Sequence, residues 1–249
     1  METKSDRASW ICGGEAHCSQ PPAKVDRPRR LVLLGAPGVG KGTQAELLCA
    51  HFGSCHLSTG DIFRSAKGMD PYRRTPALTA ALDFMLKGEL VPDETVLALV
   101  AERVGCLTCE GGFLLDGFPR TVGQAEALER LMLGQGIKLD AVLSYDLPIE
   151  RIVARLSGRR TCSACKAVFH VDARPSKVPG VCDHCGAALF QREDDRPESI
   201  RVRMAAYENS TMPLFKFYAA RNLLISVSAE GAPEEILGRS LAALNGKAS

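Results

Sequence analysis

Short apolar runs that stop at glycine or aspartate alternate with stretches of helical period along most of this chain. "RRLVLLG" holds an unbroken apolar run from Leu31 to Leu34 and ends at a glycine. A run that short and that apolar predicts a parallel strand buried on both faces. A glycine-rich turn follows, then "KGTQAELLCAHF", where Ala45, Leu48 and Phe52 keep helical spacing. "SCHLSTGDIFR" predicts a brief strand, with Ser58 to Asp61 starting a helix. Residues 76–88 and 93–104 predict two helices parted by Pro92, with Asp93 as an N-cap. "GGFLLDGFPR" predicts a second buried strand, Phe113 to Leu115, with Asp116 at its carboxyl end. A helix over 121–133 and a strand around 140–146 come next. "PIERIVARLSGRR" reads as helical, "RPESIRVRMAAYENSTMPLFKFY" as a long helix interrupted near Pro213, "NLLISVS" as a last strand, and 233–245 as a last helix. The alternation fails only over 160–195. Strand and helix in this order predict a doubly wound α/β sheet of about five parallel strands, with one inserted module.

Composition changes little in that picture. The chain has 249 residues, of which 45% are hydrophobic and 24% charged, ordinary values for a globular protein. A net charge of +2 argues against a generally basic nucleic-acid coat and leaves room for a local basic cleft. No apolar run is long enough to cross a membrane. Residues 1–28 carry four basic and four acidic side chains and no apolar h-region. Glu2, Asp6, Glu15 and Asp26 run against a mitochondrial transit peptide. The segment reads as a flexible N-terminal extension, and the expected compartment is the cytoplasm, with an organellar address in the extension left open.

The interruption at 160–195 has its own chemistry. "CSACKAVFHVDARPSKVPGVCDHC" sets two Cys-x-x-Cys pairs, Cys162/Cys165 and Cys182/Cys185, sixteen residues apart. That spacing is a zinc-ribbon pattern and favours metal over disulfides in a reducing compartment. Four thiolates close a tetrahedral shell and leave no position for water, so the site is structural, with His170 and His184 outside the shell. The chain has ten cysteines in all. Cys49 and Cys55 read as small core residues, and the lone pair Cys106 and Cys109 as a surface-loop coincidence.

"GAPGVGKGT", Gly35 to Thr43, lies between a predicted strand and a predicted helix. Such a loop turns its amides toward phosphate oxygens, the helix N-terminus adds attraction, and Lys41 supplies a positive charge. Gly42, not Ser or Thr, follows the lysine, and Thr43 comes next.

"GAPGVGKGTQ", "LSTGDIFR", "GELVPDE", "FLLDGFPRT" followed by Gln124, "ARLSGRR", "REDD" and "RVRMAAY" occur in one order along 29–246. Together they resemble the adenylate kinases, in the long-lid type with a four-cysteine zinc site. The resemblance implies a P-loop nucleoside monophosphate kinase fold over 29–249. An acceptor-binding arm would span 58–91 and a zinc lid 158–195. It implies transfer from ATP to AMP with Mg²⁺, giving two ADP. Phosphoryl transfer relies on positioning and charge neutralisation, and guanidinium forks suit both. By resemblance Lys41, Arg120, Arg155, Arg159, Arg192 and Arg203 are the catalytic cations. ATP would contact Gly38, Val39, Gly40, Lys41, Gly42, Thr43, Arg159, Val168 and Phe169, with the Phe169 ring covering the donor base. AMP would contact Thr59, Gly60, Arg64, Glu89, Leu90, Val91, Gly117, Phe118, Pro119, Arg120, Gln124, Arg192 and Arg203. Arg64 and Arg120 would hold its phosphate, and Gln124 its adenine edge. Asp116 would be an outer-shell Mg²⁺ ligand, and Asp194 and Asp195 would orient Arg159 or close the lid. The resemblance implies a monomer, with no nucleic-acid or membrane partner. GTP as donor to AMP is the alternative within the class, and a non-catalytic nucleotide-binding zinc-ribbon regulator the alternative outside it. Two stretches depart from the family pattern: the acceptor segment around Arg73 and Arg74 is longer, and "VSAEGAP" replaces the usual donor-base turn.

Overall fold

The computed structural model describes residues 7–13, 18, 24–66, 68–86, 91–192 and 195–247. The amino-terminal half contains α1 (Ala8–Cys12), β1 (Arg29–Gly35), α2 (Lys41–Phe52), β2 (Cys55–Ser58), α3 (Thr59–Ala66), α4 (Pro76–Leu86), α5 (Asp93–Ala101) and β3 (Gly112–Asp116). Then come α6 (Val122–Gly134), β4 (Ala141–Asp146), α7 (Ile149–Gly158), β5 (Arg159–Cys162), β6 (Val168–His170) and β7 (Leu189–Phe190). The chain closes with α8 (Pro197–Ala206), α9 (Pro213–Ala219), β8 (Leu224–Ser228) and α10 (Pro233–Lys247).

The predicted strands form one parallel sheet in the order β2–β3–β1–β4–β8. β1 pairs β3 on one side (Val32 opposite Leu115) and β4 on the other (Val32 opposite Val142). Alternation along β1 sends Leu31 and Leu33 to one face and Val32 and Leu34 to the other, and both faces are covered. On one face Val32 and Leu34 join Leu57, Phe113, Leu115, Leu214 and Trp10; on the other Leu31 and Leu33 join Leu143, Tyr145, Leu156 and Ile236. The central position of β1 puts its carboxyl end at the point where chain connections diverge, where open α/β sheets hold ligands.

A second, antiparallel sheet in the order β6–β5–β7 is the lid. It corrects one expectation: the helix in "PIERIVARLSGRR" stops at Gly158, and Arg159 enters a strand. Pairing from two distant segments, Arg159 with His170 and Thr161 with Phe190, outweighs the local helical pattern. The corner at Gly158 is close-packed: a Cβ there would stand 2.3 Å from His170 Nε2, and the ring would have to shift. The long helix after the lid divides into α8, a π-helical turn over Tyr207–Thr211, and α9 beginning at Pro213.

A second correction concerns the N-terminal extension. Residues 7–13 are not loose. Ala8–Cys12 forms a helix whose Trp10 is 0% exposed within the main core. The expectation of flexibility rested on mixed charge, which does not register one large aromatic side chain meeting a complementary site far along the chain. Cys106 and Cys109 are likewise half-buried against this core, with Cys109 Sγ 4.0 Å from Cys55 Sγ.

Candidate active site

The phosphate loop links β1 to α2, and its glycines are required by its shape. Gly35, Gly38 and Gly40 have φ of 138°, 84° and 108°. A Cβ on Gly35 would meet the Tyr145 carbonyl at 2.6 Å, and one on Gly38 would meet Leu156 at 2.5 Å. Lys41 opens α2, and its Nζ donates to the carbonyls of Gly35 (2.7 Å) and Ala36 (2.9 Å). Burial pulls its pKa down to about 8; Asp116 opposes this, while Arg120, Arg203 and Arg159 add to it. A lysine, an aspartate and three of the predicted arginines therefore share one field at the sheet's carboxyl end.

Asp116 ends β3 with His56 Nε2 3.5 Å from its Oδ2. Burial resists its ionisation, but His56, Lys41 and Arg120 outweigh that and hold the carboxyl below its ordinary range. Its ionised carboxylate stands 3.9 Å from where a Cβ on Gly42 would be, at the start of α2, and the donor type suits a hard divalent cation.

On the acceptor side, Thr59 and Gly60 start α3, and Arg64 folds back so that Nη2 meets Asp61 Oδ1 at 2.5 Å. A Cβ on Gly60 would stand 2.8 Å from the Arg64 guanidinium. Gly117, at φ 83°, lets Thr59 and Arg120 approach from two sides. Phe118 is buried, the Phe118–Pro119 peptide is cis, and Arg120 Nε donates to the Gly117 carbonyl at 2.8 Å. Gln124 is 4% exposed. Its Oε1 accepts from Arg120 N–H (2.8 Å), and its Nε2 donates to Asp93 Oδ1 (2.7 Å). Each end of that amide has capacity for one further hydrogen bond. Asp93 also accepts from Thr121 Oγ1 at 2.6 Å, and Thr121 caps α6 through the Gln124 N–H. Asp93 is thus the first residue of α5 and not its cap; Pro92 occupies that position. Val91 is half-buried, while Glu89 and Leu90 lie outside the described residues.

The other cations stand across the cleft. Arg155 in α7 donates Nη1 to Val39 O (2.9 Å) and Nη2 to Ala229 O (2.8 Å), tying the phosphate loop to the turn after β8. Arg159 grips Asp195 with both arms of its fork, Nε at 2.8 Å and Nη2 on Oδ1. Asp195 is wholly buried, and Arg203 Nη1 lies 3.8 Å from the same oxygen. Arg192 Nε donates to Thr161 Oγ1 at 2.8 Å. Asp194 lies outside the described residues. Phe169 is 4% exposed and packs with Cys162 and Cys182 inside the lid, while Val168 beside it is exposed.

The sequence reading gave no site role to the partners of the residues it found: His56 beside Asp116, Asp61 beside Arg64, Asp93 and Thr121 around Gln124. Asp61, Asp93 and Thr121 stand inside the quoted stretches "LSTGDIFR", "GELVPDE" and "FLLDGFPRT", but local spacing does not show what they pair with.

Four sulfurs converge in the lid. The ligand atoms of Cys162, Cys165, Cys182 and Cys185 lie within 4.8 Å of one another, with pairs at 3.4 Å and 3.5 Å. A tetrahedral ion with bonds of about 2.3 Å needs sulfurs about 3.8 Å apart, so the cluster suits zinc. Both knuckles turn alike. Lys166 and Gly186, each just after the second cysteine, have φ of 63° and 73°. Cys162 N–H donates to Ala167 O, and Cys182 N–H to Ala187 O, each at 2.9 Å. His170 is spent elsewhere: Nδ1 accepts from the amides of Asp172 and Ala173, which leaves Nε2 to donate toward Ala154 O.

A family model described as adenylate kinase matches residues 33–223. The adenylate kinase of Carboxydothermus hydrogenoformans is 47% identical over 207 residues, 83% of this chain and 95% of the relative. That of Acidothermus cellulolyticus is 48% identical over 215 residues, 86% of this chain and 97% of the relative. The chain belongs to the adenylate kinase family. This adenylate kinase is a phosphotransferase, and its phosphate loop, cation cluster and cysteine lid sit within the matched region. A third relative, the adenylate kinase of Geobacter sp. (strain M21), is 49% identical over 214 residues, 86% of this chain and 98% of its own. Residues 7–13, with Trp10, lie before the family match begins. Among the described residues of this adenylate kinase, no helix is long and apolar enough to cross a membrane.

Proposed function

We propose that this enzyme moves the γ-phosphoryl group of Mg-ATP onto AMP, reversibly giving two ADP, with its residues divided between two nucleotides and a lid. The observation that carries the reading is the shared field of Lys41, Asp116, Arg120, Arg159 and Arg203 at the carboxyl end of the sheet. Those cations converge where charge spreads over transferring phosphoryl oxygens. The phosphate loop, Gly38 to Thr43, receives the donor phosphates. Lys41 then exchanges its two carbonyl partners for phosphate oxygens. Arg159, Arg192 and Arg203 reach the transferred group from the lid side, and Arg155 holds the loop in shape. Asp195 keeps Arg159 and Arg203 aimed into the cleft.

The acceptor arm, 58–91, offers Thr59, Gly60 and Val91 to AMP, and the Glu89–Leu90 segment completes it. Gly117, Phe118 and Pro119 shape the floor, Arg64 and Arg120 bind the phosphate, and Gln124 reads the adenine edge with its remaining bonding capacity. Asp116 would hold Mg²⁺ through water, and the cation neutralises phosphate charge when bound. Cys162, Cys165, Cys182 and Cys185 would hold zinc, which cross-links the lid over 158–195 and takes no part in transfer. Val168 on the exposed edge of the lid faces the donor side. Closure of arm and lid excludes water, because hydrolysis of ATP competes with transfer. A monomer suffices, since one chain supplies both nucleotide sites.

The test is ADP formation by the full chain with AMP, Mg²⁺ and either ATP or GTP, using UMP and CMP as control acceptors. Turnover with ATP and AMP alone is expected. Preference for GTP would move the error to the donor pocket. Absence of transfer with every pair would overturn the catalytic reading.

A further inference from the structure

The extension before the family match is built into the acceptor side of the enzyme. Trp10 Nε1 donates to the carbonyl of Ser58 at 3.0 Å, one residue before Thr59. Arg103, 2% exposed, closes the other end of α1: Nε donates to Trp10 O (2.7 Å) and Nη2 to Cys12 O (3.2 Å). These are carbonyls at a helix C-terminus, the groups that most favour a cation. Gly13 has φ 68°, and a Cβ there would stand 2.6 Å from the Arg103 guanidinium carbon. Segment and seat are therefore shaped to each other.

What the segment delivers is Arg7. Its Nη1 stands 3.0 Å from Asp61 Oδ2 and 3.3 Å from the His56 carbonyl. The second oxygen of the same carboxylate, Oδ1, holds Arg64. Asp61 is thus clasped by one arginine from the extension and one from the acceptor arm, and both lower its carboxyl pKa against the opposing effect of burial. An arginine that must bind a phosphate is here held on a carboxylate. It leaves at lower cost if that carboxylate keeps a second cation, because an unpaired, largely buried carboxylate is unfavourable.

We propose that Arg7 is a positioning residue for the acceptor site: by pairing with Asp61 from the far side, it releases Arg64 to the phosphate of AMP. This rests on the assignment of Arg64 to the acceptor phosphate made above. It predicts an effect on AMP alone, since among the described residues the ion pairs of Asp61 are with Arg7 and Arg64.

The experiment is initial-rate kinetics on the zinc-loaded full chain, varying AMP at saturating ATP and the reverse. The variants are Arg7→Ala, Arg7→Lys, Asp61→Asn, the double variant Arg7→Ala/Asp61→Asn, and Arg64→Ala as reference. Arg7→Ala should raise KM for AMP about threefold, the scale of one partly exposed ion pair, with kcat and KM for ATP unchanged. Arg7→Lys should restore most of the loss. In the Asp61→Asn background Arg7→Ala should do nothing, which a general loss of folding would not produce. The proposal is overturned if KM for AMP is unchanged in Arg7→Ala while Arg64→Ala raises it. It is also overturned if the shift persists without the Asp61 charge, or if both KM values and kcat move together. If Arg64→Ala leaves KM for AMP untouched, the acceptor assignment itself fails and takes this proposal with it.

Discussion

The buried cluster of the lid consists of Cys162, Phe169 and Cys182, with Ala167, Ala187 and Leu189 packed against it. The segment proposed as the acceptor arm instead sends Ile62, Ala66, Leu78 and Leu82 into the main core, beside Trp10 and Leu99. In the proposed function both regions carry cations to the nucleotides and both must keep their shape. The arm borrows stability from a core of several dozen apolar side chains. The lid stands away from that core and is too small to build one, so four thiolates take its place. Function follows the same division. The lid presents Arg159, rigidly forked onto buried Asp195, while the arm presents Arg64 on a carboxylate it shares with the N-terminal segment.

The largest effect that would test this contrast is loss of the zinc proposed for the four cysteines. Structural zinc in small domains contributes on the order of 10 kcal/mol. Exhaustive zinc removal, or Cys182→Ser, is therefore expected to open residues 158–195 to proteolysis while the parallel sheet stays folded. An unchanged cleavage rate in the lid would break the comparison. Next in size is Trp10→Ala, which empties a core site and is expected to cost about 4 kcal/mol of global stability, read by circular dichroism in urea. Zinc content should not change; if it falls, lid and core are not independent. The smallest effect concerns the ground between the two regions. Lys41, with a pKa of about 8 against its ordinary 10.5, is charged below that value and neutral above it. The free enzyme's kcat/KM for ATP should therefore fall about tenfold per pH unit above about 8. Removing a neighbouring cation should move that limb upward, and Arg120→Met more than Arg159→Met, because Arg120 acts more strongly on Lys41. The reverse order would mean that the lid arginine acts on Lys41 more strongly than its place here implies.

Much of this molecule is legible in local pattern. Leu31 to Leu34 ends in a glycine loop, and Phe113 to Leu115 ends in Asp116, so strand, cradle and carboxylate follow from a few consecutive residues. The cysteine spacing delivered the four sulfurs for the same reason. What escaped depends on partners far apart in the chain. Arg159 reads as helical until β6 and β7 pair with its strand. Gln124 is picked out by its place after Arg120, but nothing local shows that Asp93 holds its amide. "ASWIC" reads as part of a loose tail because its stabilising partners, Ser58 and Arg103, lie 48 and 93 residues from Trp10. Nothing local says that Phe169 packs against two cysteines of the lid.

Trp10 is the one tryptophan in the chain. Every photon of indole fluorescence this enzyme emits therefore comes from the N-terminal helix where it meets the acceptor arm. Seating and unseating of that helix change the surroundings of a single chromophore, from a dry core contact with the Ser58 carbonyl to water. The natural protein is thus its own optical gauge of that junction, needing no label and blind to whatever the lid does.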